Sequence, residues 1–254
     1  MHNQYKLTYA LLATIIVVGT IFTVSKSKQT TAQKGKPTQE EAHAKWKVRE
    51  EAKKKDFPIA EFNEPEPTEP HRKALLRQKK LRANKLGLVN LNPEPNVGGG
   101  ALLPSNDFDF PALPVKESSV IVIADVLKSE AHLSEDKTGV FSEFTIKLVD
   151  VLKAESSLTG TEMVINRLGG HVRYPDGRVL LYRVGTGGMP RVGARYVFFL
   201  KPSQELEYSV LTAYELGEKG VIPMDSSSQF QQFEGFDFTT FRALVVEEIS
   251  KTEK

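Results

Sequence analysis

Arginine is the residue type with the most specific binding chemistry in this chain of 254 residues. Between positions 173 and 195 the sequence carries five arginines: Arg173, Arg178, Arg183, Arg191 and Arg195. A guanidinium group presents a planar set of donors that can bind a carboxylate or a phosphate through two parallel hydrogen bonds. The group therefore predicts an anion- or carboxylate-binding face. The alternative is that these side chains solvate an exposed sheet edge, as charged residues commonly do.

A glycine-rich segment, GTGGMPRVGAR at positions 185–195, raises the question of phosphate binding. A phosphate-binding loop would need a lysine and a hydroxyl residue where Ala194 and Arg195 stand, and a dinucleotide-binding loop would need glycine in place of Pro190. Both loops also require a following helix, whose N-terminal amides hold the anion. The residues at 196–200 (YVFFL) are instead typical of a strand. The segment therefore predicts a turn between two strands.

Other reaction centres have little support in the sequence. The chain has no cysteine, and its histidines are scattered, at His2, His43, His71, His132 and His171, so no metal site is predicted. Asp225 precedes three serines, but the G-x-S-x-G pattern of a nucleophilic serine is missing, and the serines are expected to cap a turn. We expect no catalytic residue, no metal and no cofactor.

The N-terminal segment predicts a membrane anchor. Leu7 to Val24 contains no charged residue, and its length is close to the ~20 apolar residues that span a bilayer. A cleaved signal is the alternative, but its apolar core is usually only ~7–15 residues long, and the small residues near Ala32 lie well beyond the run. We expect residues 1–24 to be an uncleaved transmembrane helix. Lysines on both sides leave the orientation open, and the short N-terminal tail favours export of the remainder.

Residues 25–113 are predicted to be a flexible, partly helical tether. Ten of the 14 prolines lie between Pro37 and Pro114, and an acidic, proline-rich spacer occupies positions 61–70. The stretch from His71 to Leu86 carries seven lysines and arginines and no acidic residue, which predicts a basic helix. Three interpretations are open for it: a solvated linker, a contact with a membrane surface or an acidic partner, and nucleic-acid binding. It has no phenylalanine, tyrosine or tryptophan for base stacking, so no nucleic-acid partner is expected.

Residues 114–254 are predicted to form the folded domain, which carries 16 Lys/Arg against 20 Asp/Glu. Alternating apolar residues indicate strands, and the alternation slips at Val149, which is typical of a bulge or of a barrel corner. An Asp-Gly pair at 176–177 indicates a hairpin. Asp237 is a good helix N-cap, and the apolar residues from Phe241 to Ile249 recur at helical spacing. The domain is therefore mainly β, with a C-terminal helix.

Two resemblances rest on this region. The segments SSVIVIADVLKSEAHLSEDKTGVFSEFTIKLVDVLKAE, MPRVGARYVFFL and YSVLTAYELGEKGVIPM resemble uncharacterised exported proteins of acidobacterial type. The strand order also resembles the OB-type barrel of netrin and metalloproteinase-inhibitor modules, with a long bent second strand and a G-x-x-Y-x-x-F-L segment. This resemblance implies a small OB-like barrel. Those inhibitors begin with a cysteine that contacts the metal of the protease, and this chain has none, so their mechanism does not carry over.

The sequence thus predicts a single-pass membrane protein whose C-terminal domain lies on the exported side of the cell envelope. The function expected for it is a non-enzymatic interaction module whose partners are the membrane, an envelope protein or an anionic lipid surface. The alternative is an enzyme or enzyme regulator whose site is assembled from residues that no local motif marks.

Overall fold

The computed structural model describes residues 55–84, 101–103, 110–154, 158, 160–203 and 207–252, all of which belong to a compact unit spanning His43–Lys254. The predicted anchor, Leu7 to Val24, lies outside the described residues. Within the described part, no helix has the length and apolar character that crossing a membrane requires.

The predicted mainly β domain with a C-terminal helix is confirmed. The strands are β1 (Ile59–Glu61), β2 (Ala101–Leu103), β3 (Val120–Leu133), β4 (Val140–Ala154), β5 (Glu162–Leu168), β6 (Gly170–Arg173), β7 (Val179–Val184), β8 (Arg195–Pro202), β9 (Tyr208–Gly217) and β10 (Gly220–Pro223). The helices are α1 (Pro70–Ala83), α2 (Ser228–Gln231) and α3 (Phe238–Thr252). The larger sheet has the order β10-β9-β5-β4-β3-β8, and the smaller one has the order β1-β6-β7-β2.

The two longest strands, β3 and β4, form the centre of the larger sheet. They pair in antiparallel fashion, and Ala124 pairs with Leu148 while Ile123 pairs with Asp150, so Val149 is the extra residue of a bulge. The predicted slip of the alternation at Val149 is therefore confirmed. A bulge bends the strand and increases its twist. β3 pairs with β4 on one side and with β8 on the other.

The predicted barrel is not found, since the sheets are not closed. The pairings run from β3 through β4, β5, β9 and β8 back to β3. However, the parallel contact of β5 with β9 consists only of the pairs Ile165–Tyr208 and Asn166–Ser209. A sheet with only two residue pairs between these neighbouring strands is not closed into a barrel. The core inside it is nevertheless continuous and includes Val122, Phe144 and Phe198.

The smaller sheet includes part of the chain that the sequence assigned to the tether. β1 pairs in parallel with β6, and Phe57 and Ala60 beside and within β1 are buried. Ala60 packs in a cluster with Val172 of β6 and Tyr182 of β7. The tether is thus not a separate segment up to residue 113, because this apolar stretch finds its partners more than a hundred positions later in the sequence.

The predicted C-terminal helix covers the outer face of the larger sheet. Its first turn is capped by Asp237, whose carboxylate accepts a hydrogen bond from the Thr240 amide at 2.9 Å. Phe241, Val245 and Ile249 are the buried residues of α3. They pack with residues from β3, β8 and β9, and the ring of Phe241 lies 4.8 Å from that of Tyr214.

Candidate functional site

The glycine-rich segment is a connection between strands, as its sequence predicts. β7 ends at Val184, β8 begins at Arg195, and no helix follows the glycines. Gly185 and Gly193 have positive φ angles of 53° and 83°, which suit the turns at the two ends of the segment. Neither anion-binding motif is formed, because both depend on the amides at the start of a helix.

A buried ion pair holds this segment in place. The carboxylate of Asp225 accepts hydrogen bonds from the Gly188 amide at 2.8 Å, from Arg167 Nη2 at 2.6 Å and from the Thr212 hydroxyl at 2.7 Å. Asp225 is completely buried, and a β-carbon on Gly188 would collide with the carbonyl oxygen of Met224. The Asp225 carboxylate therefore fixes the segment to the domain. It accepts the hydrogen bond of the Gly188 amide, which is then not available to a ligand.

The five arginines of the predicted anion-binding face are distributed over two sheets. Arg173, Arg178 and Arg183 belong to the β6–β7 region of the smaller sheet, whereas Arg191 and Arg195 precede or begin β8. Four of them lie beside carboxylates, in the pairs Arg173–Glu61, Arg178–Asp176, Arg191–Glu215 and Arg195–Asp125. Arg183 donates a hydrogen bond to the Gly185 carbonyl at 3.1 Å. Their shared role in anion binding stays a prediction, and the observed partners match the alternative of solvated edges.

A second cluster of charged side chains was not identified from the sequence. It joins the basic helix α1 to the β domain, and we call it the α1 clamp. Lys79 of α1 lies 2.5 Å from Glu143 of β4 and 2.9 Å from Glu207, which precedes β9. Lys80 donates a hydrogen bond to Glu64 at 2.7 Å. The clamp consists of Glu64, Lys79, Lys80, Arg82, His132, Glu143 and Glu207.

His132 of β3 lies at the centre of the clamp and is only 7% exposed. Its Nδ1 is 2.8 Å from a carboxylate oxygen of Glu64, and its Nε2 is 3.9 Å from one of Glu143. Its ring also contacts Phe141, at a centroid distance of 5.4 Å. A histidine between two carboxylates has the groups needed for proton transfer. Here both ring nitrogens face protein carboxylates, and α1 covers the cluster, so the arrangement fastens elements together.

The clamp shifts the pKa values of Glu64 and Lys79 toward their charged forms. Burial raises the pKa of the Glu64 carboxyl, but hydrogen bonds from His132 and Lys80 outweigh burial and bring the pKa below its ordinary value of 4.5. Burial lowers the pKa of Lys79, but hydrogen bonds to Glu143 and Glu207 outweigh it and bring the pKa above its ordinary value of 10.5. Each shift means that the folded state favours the charged form of the group.

The sequence contained one half of this signal. The basic stretch from His71 to Leu86 is visible in the sequence, and an acidic partner is one of its interpretations. The acidic half consists of Glu64, Glu143 and Glu207, which are too far apart in the sequence to form a motif. Only the pairing of β4 with β5 and of β5 with β9 brings the last two side chains to the same end of the sheet.

An open groove lies beside the N-terminal end of α3. Its volume is about 640 Å³, and it is lined by Ile123, Val149, Asp150, Arg195, Leu216, Gly217, Phe238 and Arg242. Two ion pairs stand at this groove, Arg195 with Asp125 at 2.7 Å and Arg242 with Asp150 at 3.0 Å. The groove combines apolar lining with paired charges, which suits an amphipathic group better than a bare anion.

Neither the arrangement of possible metal ligands nor similarity to known proteins indicates a function. Among the described residues, no three histidine or carboxylate side chains are placed so that they could hold a metal ion. No protein-family model matches the chain, and a search of curated proteins finds no match.

Proposed function

We propose that the protein is a membrane-tethered, non-enzymatic interaction module of the cell envelope, with its C-terminal domain on the exported side. The observation that supports this function best is the use of the buried polar groups. His132, Arg167 and Asp225 are buried, and each forms a hydrogen bond with another side chain of the protein. These bonds join segments that are distant in the sequence. The imidazole, guanidinium and carboxylate groups that could take part in catalysis thus stabilise the fold that presents the binding surface.

The strand pairing supports an OB-type topology for this module. The order β3-β4-β5-β9-β8, with β8 paired to β3 and β5 parallel to β9, is compatible with the strand order of such a fold, although the sheets are not closed into a barrel. Folds of this kind present loops and one sheet face to their ligands. The resemblance to netrin-type modules stays an expectation, and it implies no ligand for this chain.

Membrane fractionation tests the tether. We expect the full-length protein to stay in the membrane pellet after carbonate extraction, because the uncharged Leu7–Val24 segment spans the bilayer. A chain that lacks residues 1–24 should move to the soluble fraction. Extraction of the full-length protein by carbonate would contradict the anchor, and a mature N-terminus near Gln33 would replace it with a cleaved signal.

Site-directed crosslinking in membranes tests the interaction function. The chain has no cysteine, so a single Phe238→Cys substitution in the groove gives a unique attachment point for a photo-crosslinker. A matched Lys219→Cys variant places the crosslinker at the exposed turn between β9 and β10. We expect a discrete adduct from position 238 that is missing from position 219. The same adducts from both positions, or none from either, would count against a partner that binds in the groove.

One observation favours the alternative of an enzyme or enzyme regulator, namely the placement of His132 between Glu64 and Glu143. Such a site would require α1 to move away before a substrate could reach the imidazole. A reaction that is abolished by His132→Gln while the folded structure is kept would establish this alternative.

A further inference from the structure

The groove beside the N-terminal end of α3 combines an apolar lining with two arginine side chains. Ile123 is buried in it, and Leu216 packs against the apolar cluster beneath α3. Phe238 is 41% exposed, so a ring remains available for contact. Arg242 follows Phe238 by four positions, which places both on the same face of α3. The second arginine of the groove, Arg195, begins β8.

Both guanidinium groups keep hydrogen-bond donors that the described part of the chain does not use. Arg242 donates to Asp150 through Nη2 alone, at 3.0 Å, so its Nε and Nη1 have no partner among the described residues. Arg195 donates to Asp125 through Nε at 2.7 Å and Nη2 at 2.9 Å, which leaves its Nη1. About half of each arginine side chain is exposed. The groove can therefore offer several donors to an incoming anion.

The charges around the groove favour an anionic ligand. Lys147 pairs with Asp125 across the β3–β4 ladder. The hydrogen bond from Arg195, together with the charges of Arg195 and Lys147, holds the pKa of Asp125 below its ordinary value of 3.8. Three cations, Arg195, Arg242 and Lys147, thus stand against the two carboxylates of Asp125 and Asp150. One positive charge is left over for a ligand.

The carboxylates at the groove favour a peptide over an acyl chain. Asp150 lines the groove, and its oxygens can accept hydrogen bonds from backbone amides. An acyl chain would cover this carboxylate with methylene groups and would not compensate its desolvation. The end of a polypeptide instead carries a carboxylate, backbone amides and a side chain within one short segment. If that side chain is apolar, the segment matches the guanidinium groups, the Asp150 carboxylate and the apolar lining together.

We propose that this groove binds the carboxyl-terminal end of a partner polypeptide whose last residue is apolar. The terminal carboxylate accepts hydrogen bonds from Arg242 and Arg195, and the last side chain packs against the apolar lining around Phe238. The ion pair of Arg242 with Asp150 is open to water and therefore weak, so the guanidinium can be shared with a ligand. The proposal rests on the proposed function, since it names the class of partner that the interaction module would bind.

Fluorescence anisotropy with short labelled peptides tests the proposal on the full-length protein in detergent micelles. The probes are fluorescein-labelled Gly-Ser-Gly-Leu as the free acid, the same peptide as the amide, and Gly-Ser-Gly-Ser as the free acid. We expect the leucine acid to bind about tenfold more tightly than either of the others. The amide removes the charge that the guanidinium groups bind, and serine removes the apolar contact. Equal affinity of the leucine acid and its amide, or no binding of any probe, would overturn the proposal.

Single substitutions separate the two parts of the site. Arg242→Gln should weaken binding of the leucine acid about tenfold and remove most of its preference over the amide. Phe238→Ser should weaken the acid and the amide by the same factor, because the apolar contact does not depend on the charge. Lys251→Gln is the matched control, since it removes another exposed cation of α3 that contacts Glu247 and Glu248.

The control variant should bind every probe as the unmodified protein does. Equal losses from Lys251→Gln and Arg242→Gln would show that the peptides respond to net charge alone, and would overturn the proposal. The thermal unfolding midpoint of each variant checks that the domain stays folded. Excess octanoate provides the lipid control. Displacement of the labelled leucine acid by less octanoate than unlabelled leucine acid would overturn the proposal in favour of an acyl-chain site.

The photo-crosslinker at Phe238→Cys distinguishes this inference from the proposed function, because it captures a partner of any chemistry. A discrete adduct that excess leucine acid suppresses, and its amide does not, would support both. An adduct that neither peptide suppresses would keep the proposed function and overturn the carboxyl-terminal specificity. Selective binding of the leucine acid without any adduct in membranes would support the specificity of the groove and count against the proposed function.

Discussion

Helices α3 and α1 pack on the same β domain through opposite kinds of contact. α3 buries Phe241, Val245 and Ile249 in the apolar cluster on the outer face of the larger sheet. α1 has Ala83 as its one buried residue, and charged side chains join it to the domain. The free energy of apolar burial is not weakened by charge screening. The attraction between the charges of an ion pair is screened by salt wherever water reaches the pair.

This difference predicts that the two helices leave the domain separately. Segments with few buried apolar contacts open locally at a free energy below that of global unfolding. We therefore expect α3 to unfold together with the β domain. We expect α1 to detach at a lower cost, under conditions that leave the sheet intact.

The largest expected effect is at the apolar contact of α3. Phe241→Ala should lower the free energy of unfolding by about 3–5 kcal/mol, because it removes a fully buried ring next to Tyr214. Denaturant unfolding measures this change. Phe238→Ala, at an exposed position in the same helix, is the matched control and should stay within about 0.5 kcal/mol. Equal effects of the two substitutions would mean that α3 is not held by its buried face.

A similar effect is expected where an ion pair is sealed from water. Asp225→Ala should lower the free energy of unfolding by about 3–5 kcal/mol, because Arg167 would be left buried without its carboxylate. Replacing both residues by leucine should be less destabilising than the single change, since no unpaired charge remains. A single variant as stable as the unmodified protein would show that water reaches this pair.

A smaller effect is expected at the α1 clamp. Lys79→Met keeps the length of the side chain but removes its contacts with Glu143 and Glu207, and it should lower the free energy of unfolding by roughly 1–3 kcal/mol, because both carboxylates are shielded from water and lose their cation. Its main result should be faster hydrogen exchange of the α1 amides. Arg77→Met, at an exposed position of the same helix, is the control and should leave their exchange unchanged. A loss comparable to that of Phe241→Ala would contradict separate detachment.

The clamp should also respond to pH. The pKa of Glu64 is lowered, so its stabilising contribution is fully present above 4.5 and is lost as the pH falls through the folded-state value. The pKa of Lys79 is raised, so its contribution is present below 10.5 and is lost as the pH rises through the folded-state value. The methyl NMR signal of Ala83 should move toward its solvent-exposed position at both extremes.

The methyl signals of Val245 serve as the reference for this titration. The apolar contacts of α3 contain no titratable group other than the Tyr214 phenol, whose pKa burial raises well above its ordinary range. Acid does weaken the cap of α3, since hydrogen bonds from Thr240 lower the pKa of Asp237. Movement of the Val245 signals together with that of Ala83 would contradict separate behaviour of the two helices.

Features that depend on neighbouring residues could be predicted from the sequence, whereas those that depend on distant residues could not. The bulge at Val149, the cap at Asp237 and the turn at 185–195 depend on a few neighbouring residues, and the structure confirms all three. The burial of Phe57 and the acidic half of the clamp depend on residues far away in the sequence. No periodicity or spacing marks such partners, because strand pairing alone brings them together.

Hydrogen exchange at increasing sodium chloride concentration tests the electrostatic attachment of α1 most directly. The amides of α1 and α3 are followed in the same sample, so that α3 serves as the internal reference. We predict that protection of α1 falls as the salt concentration rises while protection of α3 is unchanged, and that Lys79→Met removes most of the salt dependence. Protection of α1 that does not depend on salt, or that falls in parallel with that of α3, would contradict the account.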